Sequence, residues 1–189
     1  YLGRPFYTTG EFAVTVPSGA VRVEVWKGFE YRPESLTTFV SASQTRQVKI
    51  ELAKTAPAAE HGYWSGDPHI HLQRRGDEDQ ARIFNLLECE DTHFGTVLAY
   101  NEPAGPYKGL MNHLDSPQLF GLGRRSIATC GNYSIISGQE YRSGPYGHLN
   151  LFLLDNLTLD GQSLNADMWP LFGIVARAAR ESGGIAIYA

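Results

Sequence analysis

The chain has 189 residues, enough for one large domain or two small ones. Hydrophobic residues make up 42% and charged residues 19%, the composition of an ordinary globular protein. The formal net charge is -4 with no basic block, which leaves no electrostatic footprint for nucleic acid, and no apolar run approaches membrane-spanning length.

Along the chain, residues 1 to about 56 read as a small all-β, sandwich-like domain. "EFAVTV" alternates, Pro17-Ser18-Gly19 turns, and "AVRVEVWKG" alternates again; "LTTFVSA" and "RQVKIELA" follow the same rule. "KTAPAAEHG" has the composition of a linker. Residues 57–189 then change to strand, helix, strand. "DEDQARIFNLLECED" carries Ile83, Leu86 and Leu87 at helical spacing, with acidic residues at its start that suit the helix dipole. "FGTVLAY", "YSIISGQE" and "HLNLFLL" read as strands. "LFGIVARAARES" reads as a helix with Pro170 in its first turn and Gly183-Gly184 at its end, followed by the strand "IAIYA". Strands alternating with helices predict a parallel α/β sheet or barrel. Cys89 and Cys130 are far apart and in no metal-type spacing. The abrupt start and the closing apolar strand read as a fragment of something longer.

The chemistry concentrates in two stretches. In "GDPHIHLQRRGDEDQ", Asp67, His69 and His71 stand at alternating positions, and alternation on a strand sends such residues to one face. Two imidazoles and a carboxylate on one face suit a divalent metal, whereas a surface strand that happens to carry two histidines is the bland alternative. "SIISGQEYRSGPYGHLNLF" adds Glu140 at a strand's C-terminal end and His148 at the start of the next strand. Three imidazoles and one carboxylate form an N/O set suited to Zn, Mn or Fe. Arg142, two residues after Glu140, is the candidate for an anionic substrate group. Arg74, Asn101 and His113 are candidates for lining a substrate pocket.

"GDPHIH" resembles the Asp-x-His-x-His motif that opens the polymerase and histidinol phosphatase (PHP) superfamily, and "SGQE…GHLNLF" resembles its later glutamate and histidine motifs. The lead-in "GYWSGDPHIH", after a β domain carrying "VPSGAVRVEVWKGFEY", is most similar to the CehA/McbA-like branch, which contains metal-dependent hydrolases. The resemblance runs from about Gly10 to Ala189. It implies the first part of a distorted (β/α)7 barrel behind the β domain. It also implies His69 and His71 as a metal-binding pair, Glu140 as a carboxylate that bridges metals, His148 as a further ligand, and Asp67 as support for the site and a candidate for proton transfer. The superfamily places Thr-Asp-His at the end of its second strand, where this chain has Tyr100 and Asn101, so one or two ions are expected rather than three. The resemblance further implies that the residue after Ala189 is histidine, and that the protein acts outside the cytoplasm, in a bacterial periplasm or secreted.

The function expected is a metal-dependent hydrolase acting on a small-molecule phosphoester, carboxyl ester or carbamate, in which a cation lowers the pKa of its water from about 15.7 toward about 7. The rival from another class is a carbohydrate- or protein-binding protein that keeps a degenerate, structural metal site. No membrane span and no nucleic-acid partner are expected.

Overall fold

A computed structural model of the chain describes residues 5–101, 121–143, 147–158 and 171–189. It divides into two compact units, one of residues 1–65 with 85–92, the other of residues 66–84 with 93–189.

The first unit holds strands β1 (Gly19–Val25) and β2 (Glu34–Val40), paired antiparallel from Gly19 opposite Val40 to Val25 opposite Glu34. "EFAVTV" and "RQVKIELA" form no strand, so the expected sandwich is replaced by a two-stranded sheet among the described residues. Alternation specifies faces but not a partner. Without a neighbour to complete its ladder, an alternating segment stays hydrated, as the largely exposed residues 11–16 do. The unit is organised instead around Glu30, which is 8% exposed. Its carboxylate accepts from the Ala58 N–H at 3.2 Å and lies 3.1 Å from Lys54 Nζ, and its carbonyl accepts from the Thr55 N–H at 2.8 Å. Asp91 takes Lys54 Nζ at 3.1 Å and the Tyr31 hydroxyl at 3.0 Å. The two carboxylates hold the Lys54 ammonium above the usual lysine range.

The second unit is a six-stranded mixed sheet in the order β3-β4-β6-β7-β8, with β5 on the side of β6. Its strands are β3 (Gly66–Ile70), β4 (Phe94–Asn101), β5 (Ala128–Cys130), β6 (Tyr133–Ser143), β7 (Gly147–Phe152) and β8 (Ile185–Tyr188). Helix α1 (Asp77–Glu90) joins β3 to β4, and helix α2 (Phe172–Glu181) precedes β8. Both helices form where the apolar spacing places them. The backbone N–H groups of Gly183 and Gly184 close α2 on the carbonyls of Arg180 and Ala179, with Gly183 in the left-handed region at φ 77°. Pro170 lies outside the described residues.

The expected (β/α)7 barrel does not form. Only β3, β4 and β6 run parallel; β6 with β7, and β7 with β8, are antiparallel, and two helices are present among the described residues. Residues 144–146 alone separate β6 from β7, and a parallel crossover takes a dozen residues or more. A helix between two strands is also no guarantee of a parallel pair, since α2 lies between the antiparallel β7 and β8.

Strand alternation gives this sheet two different faces. On one, Tyr141 and Gln139 of β6 stand opposite Leu149 and Leu151 of β7. There Tyr141, Leu149, Leu151, Leu154, Val175 and Ala179 make the core under α2. Burial pushes the Tyr141 phenol up to about 12. The other face carries Gly138 and Glu140 of β6 and His148 and Asn150 of β7. The Asn150 Nδ2 group donates to the Pro68 carbonyl of β3 at 3.4 Å although β4 and β6 lie between those strands. Strands three places apart in a flat sheet are about 14 Å apart, so the sheet curls toward this second face.

Gly138 permits that curl. A Cβ there would meet the Leu151 carbonyl oxygen at 2.7 Å and the side chains of Leu98 and Thr96 at 3.1 and 3.2 Å. Gly138→Ala is expected to destabilise the protein by about 1–3 kcal/mol, the usual cost of overpacking. Chemical denaturation checks this, and an unchanged midpoint would show that β6 and β7 are not in such close contact.

Candidate metal centre

Three strands deliver the site. His69 lies in β3 and His71 one residue past its end, with a register shift against β4 between Asp67 and Ile70. Glu140 lies within β6, which continues past it to Ser143 rather than ending there as the Gly-containing sequence suggests. His148 is the second residue of β7. It lies two residues before Asn150, the residue opposite Glu140, and so on the same face of the sheet as Glu140.

His69 Nε2 and His71 Nε2 are 3.0 Å apart. His69 Nε2 is 3.3 Å from Glu140 Oε1, and His71 Nε2 is 3.0 Å from Glu140 Oε2. The imidazoles are about 30% exposed, whereas the Glu140 side chain is wholly buried. A His-His-Glu group with one donor atom from each residue, all within 4.8 Å of one another, is thus assembled, and it can hold a metal ion. On a tetrahedral cation with bonds of about 2.05 Å, neighbouring ligand atoms sit about 3.3 Å apart. The two imidazole nitrogens, 3.0 Å apart, and the 3.3 and 3.0 Å from each to its nearer Glu140 oxygen lie close to that spacing.

Hydrogen bonding accounts for the triangle less well. A neutral imidazole with its proton on Nε2 has one hydrogen there, and each Nε2 faces both the other ring and the carboxylate. Protonating both rings would bring two N–H donors face to face at 3.0 Å. A cation accepts all the lone pairs at once, so the donor chemistry fits a metal.

The other expected residues distribute around this group. His148 Nδ1 lies 2.6 Å from Glu140 Oε1, which puts His148 beside the carboxylate and outside the three-donor group. The Asp67 carboxylate turns back along its own strand, where Oδ1 accepts from the His69 N–H at 2.9 Å and fixes the backbone that carries the first imidazole. Arg74 is wholly buried. Its guanidinium donates to Ser137 Oγ at 2.9 Å and to Gln80 Oε1 at 2.6 Å, and Ser137 alternates to the face of β6 away from Glu140. Burial pushes Arg74 down to about 10, so it stays charged at neutral pH. His113 and the side chains of Asn101 and Arg142 lie outside the described residues. Asn150 and Gly138 were not singled out in the sequence, yet each stands two residues from a candidate ligand on an alternating strand. That period was the available signal.

Among the described residues, no helix is long and apolar enough to cross a membrane. No family model, curated protein or solved structure matches the chain. The likeness to PHP motifs therefore rests on the short stretches that carry it.

Glu140→Gln keeps the shape of the side chain and removes its charge. It is expected to weaken Zn²⁺ binding about a hundredfold or more, since changing groups that merely support ligands already costs 10–100-fold. Competition with a chromophoric chelator reads this directly, and equal affinity in the variant would remove Glu140 from the site.

Proposed function

We propose that the protein is a metal-dependent hydrolase of small-molecule phosphoesters, carboxyl esters or carbamates. The observation that carries this reading is the meeting of His69 and His71, carried by β3 and the residue past its end, with Glu140 of β6 near ligand-to-ligand spacing. Bound there, a divalent cation (Zn, Mn or Fe) supplies Lewis acidity and a water acidic enough to serve as nucleophile near neutral pH.

The chain's own residues have distinct tasks in this reading. His69 and His71 are the neutral donors, and their partial exposure leaves one side of the triangle open to substrate. Glu140 neutralises part of the cation's charge from the buried side. Its Oε1 faces His69 and His148 and its Oε2 faces His71, so the carboxylate is arranged to serve one ion or to bridge two. His148 is the further donor on the Oε1 side. Asp67 orients His69 through the backbone bond already described. Arg142, two residues after Glu140, is the candidate for an anionic substrate group.

One observation favours a binding protein that keeps the cation for structure. The first unit exposes large aromatics, with Trp26 at 51%, Phe39 at 67% and Phe29 at 99%, as a carbohydrate- or protein-binding surface does. The two readings separate in one assay. The Zn²⁺- or Mn²⁺-loaded protein is expected to hydrolyse at least one of p-nitrophenyl phosphate, p-nitrophenyl acetate and an aryl carbamate. Chelation is expected to abolish the turnover, and His71→Ala to lower it about a hundredfold or more. Tight metal binding with no turnover on the whole panel would establish the binding protein instead.

A further inference from the structure

Asn150 is 3% exposed and stands directly opposite Glu140 in the antiparallel pair of β6 and β7. Directly opposed residues share a face, with Cβ atoms about 4.5–5.5 Å apart, so the carboxamide lies beside the Glu140 carboxylate. Its orientation follows from chemistry. The Pro68 carbonyl can only accept, so the Asn150 amino group must be the end that faces it, at 3.4 Å. Oδ1 consequently points elsewhere, and it is buried with no hydrogen-bond partner among the described residues. A buried amide oxygen without a partner is costly, on the order of 1–3 kcal/mol, and its presence calls for a reason. Leu149 and Leu151 on either side alternate into the apolar core, so nothing about the strand requires a polar residue at this position.

We propose that Asn150 is a positioning residue of the cation site: its Nδ2 ties β7 to the β3 strand that carries His69, and its Oδ1 accepts from the hydration water of a cation held by His69, His71 and Glu140. The proposal rests on the reading of that group as a cation site. Two jobs for one side chain explain why an amide stands there. Leucine would satisfy neither, and aspartate would supply the oxygen but not the donor to Pro68.

Titration of the 189-residue chain and its variants with Zn²⁺ or Mn²⁺ alone, followed by calorimetry, tests this. Both Asn150→Asp and Asn150→Leu lose the bond to the Pro68 carbonyl, and only the first keeps an oxygen toward the cation. Asn150→Asp is expected to bind the ion at least as tightly as the wild type, since it adds charge beside Glu140. Asn150→Leu is expected to bind about tenfold more weakly, the lower end of the range for groups that support a metal site. Circular dichroism and thermal melting confirm folding, and Asn150→Ala replaces the leucine variant should that one not fold. Equal weakening in the aspartate and leucine variants would reduce Asn150 to a strand tie and overturn the proposal, as would a leucine variant that binds like the wild type. A wild-type chain that binds neither ion would instead remove the cation site itself, and the Asn150 role with it.

Discussion

The Glu140 carboxylate is wholly buried in a β-sheet, and the second unit is arranged around that fact. A carboxylate charge withdrawn from water is unstable by several kcal/mol unless positive or hydrogen-bonding groups surround it. Here β3 brings His69 and His71, and β7 brings His148, with ring nitrogens 2.6–3.3 Å from the two oxygens. The strand order places β4 between β3 and β6, and the curl of the sheet brings the imidazoles toward the carboxylate. Gly138 permits that curl by close approach, and Asn150 bridges it through Pro68.

Two buried carboxylates among the described residues, Glu30 and Glu140, are answered by different partners. Glu30 is answered by a lysine ammonium and by the backbone N–H of Ala58. Those groups neutralise it, fix a loop, and leave nothing that can ligate a metal, because an ammonium has no lone pair. Glu140 is answered by imidazoles, whose neutral forms carry lone pairs. Such a set can hold a cation at its centre, and donors that β3 and β6 bring together make the affinity depend on the fold. The opposite face of the same strands is conventional, with Tyr141, Leu149 and Leu151 packed beneath Val175 and Ala179. One strand period thus separates the apolar face from the face that carries the His-His-Glu group.

Much of this was legible in the sequence, and the reason is the same period. "DPHIH" and "GHLNLF" state which residues share a face. The two histidines of β3 and the Glu140–His148 pair therefore came out together, as did both helices and most strands of the second unit. Strand direction did not. The three residues 144–146 after Ser143 were the sign of a reversal, and they were outweighed by an alternation of strands and helices that suggested a parallel barrel. In the first unit, alternation in "EFAVTV" and "RQVKIELA" suggests strands, but a strand exists only where a neighbour completes its ladder. Asn150 is not legible in the sequence, because an asparagine in an apolar strand has meaning only once its cross-strand partner is known to be Glu140. Arg74 reads as a candidate for a substrate pocket because sequence alone gives no sign of the Ser137 and Gln80 oxygens that hold it buried.

The most direct measurement is a crystal of the protein soaked in Zn²⁺ and measured on both sides of the zinc absorption edge. Expected is an anomalous peak about 2.0–2.2 Å from His69 Nε2, His71 Nε2 and a Glu140 oxygen, the range for zinc bound to nitrogen and carboxylate ligands. A peak elsewhere, or none at saturating Zn²⁺ with the three side chains still in contact, would mean that the cluster is an ion-paired group of the fold and no metal centre.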